Sequence, residues 1–472
     1  MAAPATVVDL RDLAARGAVH FVGIAGAGMS ALAELVLRSG GRVTGCDTNP
    51  GVAGAALRTL GAVIETGHDP AHVQDAVAVV TTSAVPADHP ELAAARTRGI
   101  PVLKRAQALG GIVNHGTLVA IAGTHGKTTT TAMTTSILVE AGLDPTAFVG
   151  GTVEAWGSGL RPGAESLFVV EADEYDRSFF ALHPTVAVIT SVEPDHLDVY
   201  GTAAAVQDAF AEFVSLVPGD GRVIGCADDP GAALILRRHI GNTLGYGTTD
   251  AADLRAVDLT FDGRSTSFTI CEFGEELGRI RLGVPGMHNV RNALGAIAAA
   301  RFAGARLDAA GRALESFHGV ARRLQELGSA AGVIVIDDYA HHPTEIEASL
   351  AAVRAVHAGA RVVAVFQPHL FTRTRDFAAA FGTALANADE VWLTDVYPAR
   401  EAPIPGIDGE VVVRATRDAG ASVVHYVPAV ADLAAALAST VTPGSVCVLM
   451  GAGDIDRAAR ELLERLAERS AS

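Results

Sequence analysis

Leu118–Val119–Ala120–Ile121–Ala122–Gly123–Thr124–His125–Gly126–Lys127–Thr128–Thr129–Thr130 is the stretch on which the fold turns. An apolar run without alternation reads as a strand buried on both faces. A glycine turn running into a helix after it reads as the crossover of a βαβ unit. Such a turn converges backbone N–H groups on phosphate oxygens, and the helix N-terminus adds partial positive charge. Gly123, Thr124, His125, Gly126, Thr128 and Thr129 are therefore the expected cradle for a nucleotide triphosphate such as ATP. Lys127 is expected at the outer phosphates, with the Thr128 hydroxyl on Mg²⁺. The loop is shorter than the common phosphate loop: where that pattern has its first glycine, this chain has Ile121. Lysine occurs only at Lys104 and Lys127, so keeping it here rather than arginine favours a functional role for a compact ammonium.

The same rhythm of β-branched run, glycine turn and Ala/Leu-rich helix recurs on either side in three blocks. In the first, His20–Phe21–Val22–Gly23–Ile24 precedes Ala25–Gly26–Ala27–Gly28–Met29–Ser30, and further strands are expected over 42–46, 77–81 and 101–103. Gly23, Gly26 and Gly28 stand where a dinucleotide-type turn needs them, and Asp47 ends the second strand where a ribose-binding acid falls. On spacing alone the default ligand is NAD. In the second block, Glu171–Ala172–Asp173–Glu174 and Glu193–Pro194–Asp195–His196–Leu197–Asp198 each follow an apolar strand, the usual place for ligands of a metal-nucleotide. Residues 222–282 read as an antiparallel insertion or an added sheet. The third block starts near Val333, after an expected linker over 328–332. Its strand ends carry Asp337–Asp338–Tyr339–Ala340–His341–His342–Pro343–Thr344–Glu345 and Gln367–Pro368–His369–Leu370–Phe371–Thr372–Arg373–Thr374–Arg375. The paired histidines lack a thiol nearby, so substrate contacts are favoured over zinc, with Thr344 as a helix cap. Arg373 and Arg375 suit a carboxylate or phosphoryl group.

Composition narrows the function classes. At 472 residues the chain is too long for one ordinary core, and a net charge of −17 disfavours nucleic acid and anionic lipid partners. Cys46, Cys226, Cys271 and Cys447 have no metal-knuckle or disulfide-framework spacing and fit a reducing compartment. Residues 1–10 lack the pattern of a secretory leader, and no uninterrupted apolar run has spanning length, so a cytoplasmic location is expected.

Together these motifs resemble the Mur ligases over nearly the whole chain. The carriers are 23–30, 123–130, 171–179, 193–201, 288–293, 319–323, 337–345, 366–376 and 451–455. The resemblance implies an α/β fold of three domains. A Rossmann-like UDP-binding domain would cover 1–115, a phosphate-loop ATPase domain with a mixed sheet 116–328, and a C-terminal Rossmann-like domain 329–472. It implies the branch that joins L-alanine to UDP-N-acetylmuramate through an acyl phosphate, with ATP and two Mg²⁺ ions. The first glycine loop would then hold UDP-sugar rather than NAD, through Gly23, Gly26, Gly28, Met29, Ser30, Asp47 and Ser83.

Carried over by motif position, Lys127, Glu171, His196 and Arg373 would be catalytic. Thr128, Glu171 and His196 would be metal ligands, and Asn289, Asn292, Arg322 and Asp338 would join the loop in binding ATP. Tyr339, His341 and Arg373 would meet the amino acid. No nucleic acid or membrane partner is implied, and the chain is expected to be a monomer or homodimer. Two features set this sequence apart. Leu370 stands where many relatives have arginine, and Lys127 is the only lysine of the middle domain, which leaves none for carbamylation. Readings left open beside this one are a ligase taking a murein tripeptide, a dehydrogenase with an accessory nucleotide domain, and a non-catalytic nucleotide-binding regulator.

Overall fold

The computed structural model describes residues 9–399 and 401–471. The N-terminal stretch read for a leader lies, over residues 1–8, outside the described residues. The chain divides into two compact units, one formed by 1–257, 270–278 and 291–314, the other by 258–269, 279–290 and 315–472.

The first unit holds two sheets. Strands β1 (Ala18–Val22), β2 (Arg42–Asp47), β3 (Val63–Thr66), β4 (Ala76–Thr81) and β5 (Val102–Lys104) form an all-parallel sheet in the order β3-β2-β1-β4-β5. The order reverses at β1, which places a ligand crevice at its carboxyl end, where Gly23 begins the first glycine loop.

The second sheet is built from β6 (Thr117–Ala122), β7 (Pro145–Val153), β8 (Ser158–Arg161), β9 (Ala164–Glu171), β10 (Val186–Ile189), β11 (Arg222–Cys226) and β12 (Thr243–Gly247), in the order β12-β11-β10-β6-β9-β7-β8. Only β8 is antiparallel within this set, so the sheet is mixed as expected. Leu118–Ala122 is fully buried, which explains its lack of alternation. The helix Lys127–Glu140 that follows carries six threonines, β-branched residues that ordinarily weaken helices. Here Thr131, Thr134 and Thr135 each donate to the carbonyl four residues back, at 2.7–2.8 Å, so their hydroxyls are satisfied in a buried helix.

Residues 222–282 differ from the expected antiparallel insertion. β11, the helix Pro230–Arg238 and β12 are one more parallel βαβ crossover on the main sheet, and only then come β13 (Leu254–Asp262), β14 (Ser265–Glu272) and β15 (Glu275–Leu282). The short strands around Gly225 and Gly245 concealed the parallel pairing.

In the second unit, β16 (Gln325–Ala330), β17 (Val333–Asp338), β18 (Arg361–Phe366), β19 (Glu390–Leu393), β20 (Val424–Tyr426) and β21 (Ser445–Met450) form a sheet in the order β16-β17-β21-β18-β19-β20. The expected linker over 328–332 is instead the end of β16 and its turn. β16 pairs antiparallel with β17 with a bulge at Leu327, and the other neighbours are parallel. Cores cover both faces of this sheet, one around Phe366 and Phe381, the other around Leu449 and Leu462. Among the described residues no helix is long and apolar enough to cross a membrane.

Candidate active site

The phosphate loop of the first unit is held from beneath by the turn after β10. Thr124 N–H donates to the Ser191 carbonyl and His125 N–H to the Ser191 hydroxyl, both at 2.9 Å, while Thr190 Oγ1 closes on the His125 carbonyl. These two amides are thus committed to shaping the loop, which leaves the first turn of the helix after Gly126 to face an anion. Gly126 has φ +80, and a Cβ there would stand 2.5 Å from Asn292 Oδ1. Asn292, expected near ATP, therefore lies against the loop.

Lys127 is partly buried at the loop mouth. Its ammonium donates to the Gly123 carbonyl at 2.6 Å and to both oxygens of Glu174 at 2.8 and 3.0 Å. Burial opposes its charge, but the carboxylates of Glu174, Asp173 and Glu171 outweigh burial and raise its pKa above the ordinary lysine value. Glu174 is itself pushed up to about 7, by burial first, against the pull of Lys127. The sequence reading singled out Glu171 through the resemblance and gave Glu174 no role of its own. The structure gives Glu174 to the lysine and Glu171 to the threonine. Glu171 accepts from Thr128 Oγ1 at 3.1 Å and from Gly150 N–H at 2.6 Å.

His196 approaches this cluster from the Glu174 side, its Nε2 3.8 Å from Glu174 Oε1, and packs edge-on against Tyr175. His196, Asp176 and Arg177 all adopt positive φ, at 53–56°. Three such side-chain-bearing residues around one carboxylate mark the strained backbone that functional sites tolerate. Tyr200 adds a hydroxyl bond to the Glu174 carbonyl at 2.6 Å.

A cleft in the same unit runs from the first glycine loop to these acids. Ala27, Gly28 and Arg105 line one side, and Phe148–Thr152, Glu171 and Asp173 the other. Arg105, unmarked in the sequence reading, brings a guanidinium beside Gly28 at the helix N-terminus, where an anionic group would sit. The other first-loop residues divide. Asp47 braces the loop by accepting from Ala25 N–H at 3.0 Å and from Asn49 N–H at 2.9 Å. Met29 is buried with its N–H on the Gly26 carbonyl, so it supports the loop instead of facing the cleft. Ser30 turns its hydroxyl to the Ala27 carbonyl, and Ser83 is exposed on the turn after β4.

The second unit carries a separate polar constellation at the carboxyl ends of β17 and β18. Arg322, at φ 58, donates to the carbonyls of Gly451 and Gly453 and lies 3.4 Å from the buried Asp337 carboxylate. Its guanidinium stacks over Tyr339, as does that of Arg323. His341 Nδ1 meets the Tyr339 carbonyl at 2.9 Å, and its ring packs against His369. Arg373 is buried, 3.3 Å from His369 Nδ1, whereas Arg375 is exposed and paired with Asp376, so the two arginines do not act together. The expected cap is His342, not Thr344, since the Thr344 N–H donates to the imidazole. Leu370 is buried at φ 68 and begins the helix carrying Arg373, so it offers no replacement for an arginine contact. Asn289 is anchored on the Pro285 carbonyl at 2.7 Å.

Asp338 supplies a pH test. Burial pushes its carboxyl up to about 6 despite hydrogen bonds from Ser349 and Ala340 N–H. A raised carboxyl pKa means that the folded state holds the proton more tightly than the unfolded one, so its stability is lost as pH rises between about 4 and about 6. Asp338→Asn should therefore gain stability relative to the parent by about 2 kcal/mol on going from pH 4 to pH 7, read by denaturant unfolding. A difference that stays flat with pH would disprove the burial of charge.

Three family descriptions match successive stretches of the chain. They are "Mur ligase family, catalytic domain" over 18–117, "Mur ligase middle domain" over 121–300 and "Mur ligase, glutamate ligase domain" over 322–453. Among curated proteins, the UDP-N-acetylmuramate–L-alanine ligase of Salinibacter ruber is 45% identical over 449 residues, covering 95% of this chain and 94% of its own. The ligase of the same name from Renibacterium salmoninarum is 44% identical over 465 residues, covering 98% and 97%. Among solved structures, the UDP-N-acetylmuramate–alanine ligase of Thermotoga maritima superposes with a TM-score of 0.81 at 30% identity, covering 97% of this chain and all of its own. A murein peptide ligase of Psychrobacter arcticus gives 0.70 at 27%, covering 96% and 99%.

Proposed function

Since the chain belongs to the Mur ligase family and is a ligase, we propose that it joins L-alanine to UDP-N-acetylmuramate in the cytoplasm, coupled to ATP cleavage. The observation that carries this reading is the position of Glu171. It bonds the Thr128 hydroxyl of the phosphate loop and also lines the cleft that opens at Gly28 and Arg105. A UDP-sugar acid with its pyrophosphate at the first glycine loop would extend its carboxylate along that cleft towards the terminal phosphate of ATP. We assign 1–115 to the UDP-sugar, 116–328, which includes Arg322, to ATP, and 329–472 to closure over nucleotide and amino acid through Asp338, Tyr339, His341 and Arg373.

The chemistry balances in two steps. The sugar carboxylate attacks the γ-phosphorus, ADP leaves, and an acyl phosphate forms. The neutral amine of L-alanine attacks the acyl carbon, phosphate leaves, and the amine proton passes to solvent or a base. Lys127 and the first-turn amides hold the transferring phosphoryl group as its charge spreads. Thr128 and Glu171 suit Mg²⁺. They are hard oxygen donors 3.1 Å apart, close to the roughly 2.9 Å edge of an octahedral ion with 2.0–2.1 Å bonds. Mg²⁺ bound there would neutralise phosphate charge. His196 is the further ligand we assign to the metal site.

Phosphate release should require UDP-N-acetylmuramate and L-alanine together. The 44–45% identity to alanine-adding enzymes over nearly the whole chain supports this acceptor over a murein tripeptide. Release with the tripeptide and none with L-alanine would refute the assignment.

A further inference from the structure

The first unit contains a second chemical centre, away from the phosphate loop. Glu91, fully buried at the start of the helix Pro90–Thr97, is ringed by histidines and a thiol drawn from five segments. Cys46 Sγ donates to its Oε2 at 3.0 Å and lies 3.2 Å from His68 Nδ1. His68 Nδ1 is 3.5 Å and His89 Nδ1 3.9 Å from the same Oε2. His20 Nε2 lies 4.0 Å from it, and His72 Nδ1 meets the other oxygen at 2.8 Å.

A plain hydrogen-bond network does not account for this set. The His20 side chain is 1% exposed, and its Nε2, like the buried Nδ1 of His89, has no hydrogen-bond partner among the described residues. Buried polar atoms are rarely left unpaired, so two of them aimed at one carboxylate oxygen call for a ligand. The spacing indicates which one. Four donors at 2.0–2.3 Å from a tetrahedral zinc stand about 3.3–3.8 Å apart; here Cys46 to His68, and each of Cys46, His68 and His89 to Glu91, are separated by 3.0 to 3.9 Å, and the donors fall into two groups that share Glu91, His20 with Cys46 and His68 with His89. A thiol, imidazoles and a carboxylate are donors for zinc-class ions and not for Mg²⁺.

We propose that Cys46, His68, His89 and Glu91 bind a zinc-class transition metal, with His20 as an alternative fifth donor. His72 and the Asp69 N–H hold the second carboxylate oxygen and so orient the ligand. Binding exchanges the thiol S–H bond for a metal–sulfur bond and releases one proton to solvent. The His68 side chain, 27% exposed, is the entry side. The site would pin the end of β2 to the helix at Glu91. Cys46 already holds the first glycine loop, because its carbonyl accepts from Gly23 N–H at 2.9 Å and Ile24 N–H at 3.1 Å. The metal is thus a clip beneath the loop assigned to the UDP-sugar, but its binding can be measured without that assignment.

The test is titration of metal-stripped full-length protein with Co²⁺ in excess Mg²⁺, read by absorption. Thiolate-to-cobalt charge transfer together with tetrahedral ligand-field bands is expected at one equivalent, with displacement by Zn²⁺. Cys46→Ser should abolish the charge-transfer band, and His68→Ala should weaken binding by about tenfold or more. His68→Ala serves if Cys46→Ser does not fold. Absence of the band in the parent, its persistence in Cys46→Ser, or unchanged affinity in His68→Ala each overturns the proposal.

Discussion

Lys127→Ala is expected to lower phosphate release by about 10³-fold or more, because it removes a cation placed where phosphoryl charge develops. The substitution has a second consequence that must be separated from the first. Glu174 is buried against the ammonium, and deleting one partner of a buried pair costs about 3–5 kcal/mol by leaving the other charge uncompensated. Glu174 can relieve part of this by taking up a proton, since burial already holds its pKa at about 7. The destabilisation should therefore be smaller at pH 6 than at pH 8. Lys127→Ala combined with Glu174→Gln should recover stability but not activity, whereas Lys127→Arg should recover neither fully, because a planar fork does not fit a pocket shaped around a point charge. Thermal unfolding and phosphate release on the same four proteins separate these effects. Full turnover in Lys127→Ala would remove the lysine from the mechanism, and a double variant that regained activity would reduce its role to packing.

What could be read from the sequence was the chemistry whose geometry is local. The buried strand Leu118–Ala122, the glycine turn and the helix after it are contiguous, and periodicity plus glycine position specify them without tertiary information. The parallel pairing around β1 was likewise implicit in the βαβ rhythm, whereas the strand order was not. Glu171 was singled out only through the resemblance, and the pairing of Glu174 with Lys127 was not legible. Glu171 ends a strand, but Glu174 reaches Lys127 only because the chain turns through the strained residues Asp176 and Arg177. Arg105 was invisible for a different reason: it is 77 positions from Gly28, and only the packing of its helix brings them together. The cluster at Glu91 escaped because its donors at 20, 46, 68, 72 and 89 follow no ligand spacing; sheet order assembles them. The parallel crossover at 222–247 was misread because Gly225 and Gly245 interrupt runs that would otherwise look buried on both faces.

Gly123→Ala should be nearly as damaging as the loss of Lys127, through the backbone instead of through charge. Gly123 has φ +140, a region open in practice only to glycine, and a Cβ there would stand 2.0 Å from Thr190 Oγ1 and 2.9 Å from Ser191 N. Neither neighbour can yield cheaply. Thr190 Oγ1 is held between the carbonyls of Ala122 and His125, and Ser191 fixes the amides of Thr124 and His125. Relief of the clash must come from the loop itself, which would shift the helix N-terminus that faces the phosphate and move the Lys127 anchor on the Gly123 carbonyl. A displacement of about 1 Å is enough to cost about 10²-fold in rate, so nucleotide affinity and turnover should both fall by at least that factor. Gly142→Ala is the matched control. It also has positive φ, +76, but a Cβ there meets nothing within 4 Å. It should lose only the left-handed backbone penalty, about 1 kcal/mol of stability, with phosphate release unchanged. Equal behaviour of the two variants in nucleotide binding would mean that backbone conformation alone, not the close fit of the loop onto Thr190 and Ser191, governs the site. A large difference confined to Gly123→Ala would locate the requirement in that fit, which lets a loop shorter than the usual phosphate loop still present its helix N-terminus to an anion.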